Sequence, residues 1–356
     1  MSIGRNVLKL TTSKVAAQVI GFVTAPIIAR LYAPEHFGVQ QLFMSIAVVI
    51  GVITCLRYEL SIPLGKDEKE ASASFSFTLS VLISLLFSAI VLATIPFGRE
   101  KIAHWFKSPE LKQLLWLLPI SIFIGGFSKP LGYWAAREER FGAKAWASFG
   151  ASLVSRAITI GWAVIIGASV AGLFAGYFAS MIVGILLLLV FLSRKLISDI
   201  KNAHLDFGTL WAVAKHHKKF PIFTTWSGLL NSFSFQLPPM ILGLYYSTTV
   251  VGYYSLGYRL ISLPMGLLGG SIAQVFFPTA AKEYNEKGTL SKIVSSMFKR
   301  LVQIGVFPMV ALGFLGAPLF NFIFGDKWIE AIGLVFQNKS FAGYRHSIVL
   351  TELGGN

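Results

Sequence analysis

Residues 75–97, FSFTLSVLISLLFSAIVLATIPF, run for more than twenty positions without a charged side chain. At a rise of about 1.5 Å per helical residue, that run crosses the roughly 30 Å hydrocarbon core of a bilayer. Residues 170–192, VAGLFAGYFASMIVGILLLLVFL, do the same. The chain is 54% hydrophobic and 13% charged, far from the roughly 25% charged residues of soluble domains. It therefore reads as an integral membrane protein. Hydropathy places nine spans, near 10–31, 41–64, 74–97, 114–136, 146–168, 170–192, 222–245, 253–277 and 301–323.

The segments between the spans fix an expected orientation. With the N-terminus inside, the inner segments carry 19 Lys and Arg and the outer ones 5 (Arg99, Lys101, Lys107, Lys112 and Lys327), so the positive-inside rule puts the N-terminus in the cytoplasm. The net charge of +15 is thereby explained by topology, and no nucleic-acid partner is expected. The longest polar connection, 193–221, reads as an amphipathic segment on the inner surface. Its His216-His217-Lys218-Lys219 cluster suits anionic headgroups. The expected organisation is a six-helix bundle over 1–192, a cytoplasmic amphipathic linker over 193–221, a partial second bundle over 222–328 and an atypical tail over 329–356. The second bundle echoes the first: Leu31-Tyr32 precedes Gly38 as Leu244-Tyr245 precedes Gly252.

Five cations, Arg30, Arg57, Lys129, Arg156 and Arg259, fall inside the spans, against one acid, Glu59. A charge at the bilayer centre costs about 2.5–3.5 kcal/mol on insertion scales, so it is kept where it faces a wet or polar interior. An interior this positive suits an anion. Arg156, near the middle of its span, is the leading candidate. Arg57 and Lys129 lie toward the inner side and Arg259 toward the outer, a ladder through a cleft. Arg30 lies near a span end and is read as snorkelling. On a continuous helix Arg57 and Glu59, two apart, would point to nearly opposite faces, so Glu59 is expected to serve a structural role or, alternatively, proton coupling.

The lone Cys55 is expected to be packing, which excludes disulfide scaffolds and thiolate metal sites. No metal or nucleophilic motif is present, and no cofactor is expected. Gly172-Leu-Phe-Ala-Gly176 and Gly266-Leu-Leu-Gly-Gly270 read as close helix approach inside the bundle. Pro26, Pro119, Pro130, Pro238-Pro239, Pro264 and Pro308 mark places where bent helices could line a cavity.

The opening stretch, ending Leu31-Tyr32-Ala-Pro34-Glu35-His-Phe37-Gly38, resembles the bacterial polysaccharide biosynthesis proteins, the O-antigen and exopolysaccharide flippases of the MATE-like superfamily. The Gly252-Tyr253-Tyr254 turn and the Val275-Phe276-Phe277-Pro278 helix end match the same pattern. The resemblance covers about residues 1–328 and implies an all-α polytopic transmembrane bundle with a two-repeat transporter architecture, its second half incomplete here. It implies movement of an undecaprenyl-pyrophosphate-linked oligosaccharide across the bacterial inner membrane, without enzymatic chemistry. Partners so implied are the lipid-linked oligosaccharide, anionic membrane lipids, and the polysaccharide polymerase and chain-length machinery. Family members are similar in having more helices, so a truncation or frame slip near residue 329, and with it weak or absent transport, is expected. The rival readings are a MATE-type multidrug or cation antiporter, for which one acid is a thin provision, and an inactive flippase fragment.

Overall fold

A computed structural model describes residues 20–64 except 22, 70–202 and 206–259, together with scattered later positions and the stretch 321–328. The protein is an all-α polytopic bundle. Its elements are α1 (residues 23–31), α2 (Pro34–Ile53), α3 (Glu70–Trp105), α4 (Pro109–Leu114), α5 (Leu118–Arg137), α6 (Phe141–Ile165), α7 (Val170–Asn202), α8 (Phe207–His216) and α9 (Thr225–Tyr245). Five of the described stretches are long and apolar enough to cross a membrane: Pro34–Ile53, Ala73–Trp105, Pro109–Arg137, Phe141–Ile165 and Val170–Ser193. The described residues form two compact units divided between Val251 and Gly252. In the second, residues 252–259 are helical and Tyr253 meets Trp328 edge to face at 6.0 Å. The expected spans over 253–277 and 301–323, the Gly266–Gly270 motif, Pro264, Pro308, the tail and residues 1–19 lie wholly or mostly outside the described residues.

α3 shows why this is a membrane fold. Its Ser74, Ser76, Ser80 and Ser84 are fully buried, while Leu82, Leu85, Leu86, Ile90, Leu92 and Phe97 face outward. That is the reverse of a soluble helix, and it follows when the surroundings are hydrocarbon: hydroxyls turn to the inside and apolar side chains lie in lipid. The Ser61 and Ser76 hydroxyls meet at 2.8 Å, and Ser80 donates to the Ser76 carbonyl at 2.8 Å.

The starting motif has a structural reason. Pro34 sits at the first turn of α2, where no backbone N–H is needed, and Glu35 lies against the positive end of the helix dipole. Tyr32 is fully buried and donates to the Thr159 carbonyl of α6 at 2.7 Å. α7 then closes on the same place through its small residues. A Cβ at Gly172 would lie 2.3 Å from the Tyr32 hydroxyl, and one at Gly176 would lie 2.1 Å from Thr159 Oγ1 and 2.8 Å from the Ser155 carbonyl. The Gly-x-x-x-Gly stretch is thus a packing face inside the bundle.

Two apolar clusters fill opposite ends. One gathers Val39, Phe43, Ile95, Leu115, Ile122 and Phe174; the other gathers Ile62, Phe77, Leu131, Trp134, Leu188 and Leu192. In chain order, Thr54, Arg57, Glu59, Ser80, Ser84, Ser128 and Lys129 fall between the buried members of the two clusters, a polar layer inside the bundle.

The connections are more helical than hydropathy implies. α3 runs past the expected end at 97 to Trp105 and α7 past 192 to Asn202. Most of 193–221 is therefore helix: α8 follows, capped by Asp206, whose carboxylate accepts the Thr209 N–H at 2.9 Å. The Thr209 side-chain hydroxyl and backbone N–H hold the Asp206 carboxyl below the usual carboxylate range. The cap is thus fully formed at neutral pH and is lost only as pH falls through that lowered value.

Candidate functional site

α2 is not the continuous helix expected over 41–64. It stops at Ile53, and the chain turns through Leu56 (φ 48°) and Arg57 (φ 62°) before a 3₁₀ turn over Tyr58–Ser61. Non-glycine residues in this left-handed region cost about 1–3 kcal/mol each and persist where surrounding structure holds them. Here it does. The Lys129 ammonium of α5 donates to the Gly51 carbonyl, the Arg137 guanidinium donates to the Ile62 carbonyl at 3.0 Å, and Ser61 donates to the Tyr58 carbonyl at 2.8 Å. Carbonyls released by the break are met by side chains, as irregular backbone buried in a membrane protein requires. The Tyr58 hydroxyl reaches further, donating to the Ala214 carbonyl of α8 at 3.2 Å.

The break corrects the expectation for Arg57 and Glu59. Opposite faces would hold on a helix, but the left-handed turn swings Arg57 Nη1 to 4.0 Å from Glu59 Oε1. Glu59 is 1% exposed. Its Oε2 and the Nε of Arg57 are both buried without a hydrogen-bond partner among the described residues. Lys129, Cys55 and Tyr133 lie within electrostatic range of Glu59. Cys55 donates its thiol to the Gly126 carbonyl at 3.3 Å, in keeping with a packing role. Two cations and one carboxylate leave the cluster with one net positive charge.

Glycines make the space. A Cβ on Gly228 of α9 would stand 2.2 Å from Arg57 Nη2, and one on Gly126 would stand 1.9 Å from Ser84 Oγ and 2.6 Å from Thr54 Cγ2. Gly228 begins a seam along which α9 runs antiparallel to α2. In the middle, Gln236 Oε1 accepts from Ser45 at 2.9 Å and from Gln41 at 3.4 Å. At the far end, a Gly243 Cβ would meet Leu42 at 2.7 Å.

Of the candidates read from sequence, Arg57, Lys129 and Glu59 come together. Arg156 stands apart on α6: its Nη2 lies 3.5 Å from where a Gly21 Cβ would be, and its Nε is buried with no hydrogen-bond partner among the described residues. Arg259 lies in the second compact unit and is exposed there; Arg30 is exposed. Sequence reading passed over Gly228, Gly126 and the Gln41–Ser45–Gln236 group. For the two glutamines a signal existed, since amides inside apolar spans need partners. For Gly228 the reason is a contact with a residue far away in the chain, which no local pattern carries.

The polysaccharide biosynthesis protein family matches residues 27–333. The chain is similar to the succinoglycan biosynthesis transport protein ExoT of Rhizobium meliloti (strain 1021), with 23% identity over 95% of this chain and 66% of that protein. It is also similar to the teichuronic acid biosynthesis protein TuaB of Bacillus subtilis (strain 168), with 22% identity over 33% of this chain and 24% of that protein. The chain thus spans less than two thirds of the length of either relative. With one family model matching most of its length, the chain belongs to the polysaccharide biosynthesis protein family.

Proposed function

We propose that this protein carries a lipid-linked oligosaccharide, anchored through undecaprenyl pyrophosphate, from the inner to the outer leaflet of the bacterial inner membrane. The observation that carries this reading is the Arg57–Lys129–Glu59 cluster, a net positive site in the polar layer of the bundle whose carboxylate is buried. A pyrophosphate bears about two negative charges that hydrocarbon cannot solvate, and the arginine fork bonds phosphate oxygens two at a time. Arg156 and Arg259 are assigned to the same anionic substrate along its route. The function is transport, without catalytic chemistry. A relative named as a transport protein supports this over a biosynthetic enzyme.

Two repeats rocking about a shared site would expose the cluster to each leaflet in turn. Matching short connections support the repeat: α1 ends at residue 31 and α2 starts at Pro34, while α9 ends at Tyr245 and helix resumes at 248. Expression in a flippase-null strain tests the function. Restored surface polysaccharide would support the function and overturn the weak or absent transport expected from the sequence, and a strain that stays bare despite full membrane insertion of the protein counts against it.

The N-terminus is assigned to the cytoplasm. Ser108, a natural choice for outside labelling by its sequence position, is buried as the cap of α4 and accepts the Leu111 N–H, whereas Glu110 and Ser198 are exposed. In a Cys55→Ser background, Glu110→Cys should react with an impermeant thiol reagent in intact cells and Ser198→Cys should not. The opposite pattern inverts the topology.

A further inference from the structure

We propose that Glu59 is the site's own stand-in for phosphate: it holds Arg57 until a phosphate group arrives, then yields the guanidinium to it. This rests on the reading that the cluster binds the pyrophosphate of the transported lipid.

A buried ion pair kept for stability closes to hydrogen-bond distance and uses both carboxylate oxygens; bidentate arginine pairs sit at about 2.7–2.9 Å. Burying charge without that saturation is costly. Here the pair stands at 4.0 Å, and one polar atom on each partner, Glu59 Oε2 and Arg57 Nε, is buried with no hydrogen-bond partner among the described residues. Capacity is left unused on both sides, although two left-handed residues are needed to bring the pair together at all. The face of Arg57 toward α9 is kept clear by Gly228. Lys129, fixed on the Gly51 carbonyl at the end of α2, adds a second cation beside the carboxylate.

A pair this loose exchanges readily. A phosphate offers more acceptor oxygens than Glu59 and can take the fork that Glu59 only approaches. The carboxylate meanwhile lowers net affinity, because the ligand gains only the difference between its own contacts and those of the residue it displaces. A carrier needs that restraint, since a site that binds too tightly does not release.

Pyrophosphate binding measured by calorimetry on the protein in lipid nanodiscs tests this, with inorganic pyrophosphate as the probe. Arg57→Gln should weaken binding at least tenfold. Glu59→Gln, which keeps the shape and removes the charge, should bind about tenfold more tightly, in line with the coupling of close charge pairs. Glu59→Asp, whose shorter reach lengthens the 4.0 Å contact, should fall between Gln and wild type. If Arg57→Gln loses binding but both Glu59 variants bind equally or more weakly than wild type, the carboxylate is structural and the stand-in role is wrong. Should Glu59→Gln fail to give a monodisperse protein, Glu59→Asp decides on the same criterion. Absence of binding by wild type and all variants removes the phosphate site itself. A prenyl pyrophosphate in the same cell should bind more tightly than the inorganic ion if the ligand is a lipid headgroup, and equally if it is free pyrophosphate.

Discussion

Export of surface polysaccharide should fall at least a hundredfold in Arg57→Gln, measured in a flippase-null strain by surface glycan per unit of protein in the membrane. Two charge-assisted hydrogen bonds to a phosphate are lost, each about 1.5–3 kcal/mol, and that range reaches a hundredfold or more. The change also leaves Glu59, which is 1% exposed, with Lys129 as its neighbouring cation. Removing one partner of a buried charge pair is destabilising, so abundance should drop as well. The two effects separate in the double variant Arg57→Gln/Glu59→Gln. Removing both charges restores abundance, while export stays absent because the phosphate ligand is still missing. Gly228→Val reaches the same end from the other side of the seam: its Cβ alone would lie 2.2 Å from Arg57 Nη2, and the guanidinium must leave. Normal export in the double variant at normal abundance would mean that Arg57 holds the fold and not the substrate.

The membrane class and most helices were legible in the sequence because hydropathy integrates over twenty or so residues. The segment 41–64 stays apolar enough to read as one span, so its end at Ile53 was hidden. Left-handed turns usually announce themselves with Gly or Asn; here Leu56 and Arg57 take that conformation, held by cations that arrive from α5. The rule that intramembrane charges mark function selected Arg57, Lys129 and Glu59, which do cluster, yet their pairing was misjudged from helix geometry that does not apply there. The ladder expected through a cleft depends on packing among distant segments. Of its members, Arg57 and Lys129 lie within electrostatic range of each other.

Arg156 carries the remaining prediction. It lies on α6, well inside Phe141–Ile165, and its Nε is buried without a hydrogen-bond partner among the described residues. Keeping a cation there costs about 2.5–3.5 kcal/mol on insertion scales, so alanine should be tolerated by the fold and even ease insertion. Cells carrying Arg156→Ala should therefore show normal levels of the protein in the membrane and lose surface glycan. Arg156→Lys should restore only part of the export, since an ammonium supplies the charge but not the planar fork that grips two phosphate oxygens. A structural arginine would behave in the opposite way: alanine would deplete the protein from the membrane, and the little that remained would export at the normal rate per molecule. Unchanged surface glycan in Arg156→Ala at unchanged abundance would take Arg156 out of the transport route and leave the Arg57 cluster to bind the anion without it.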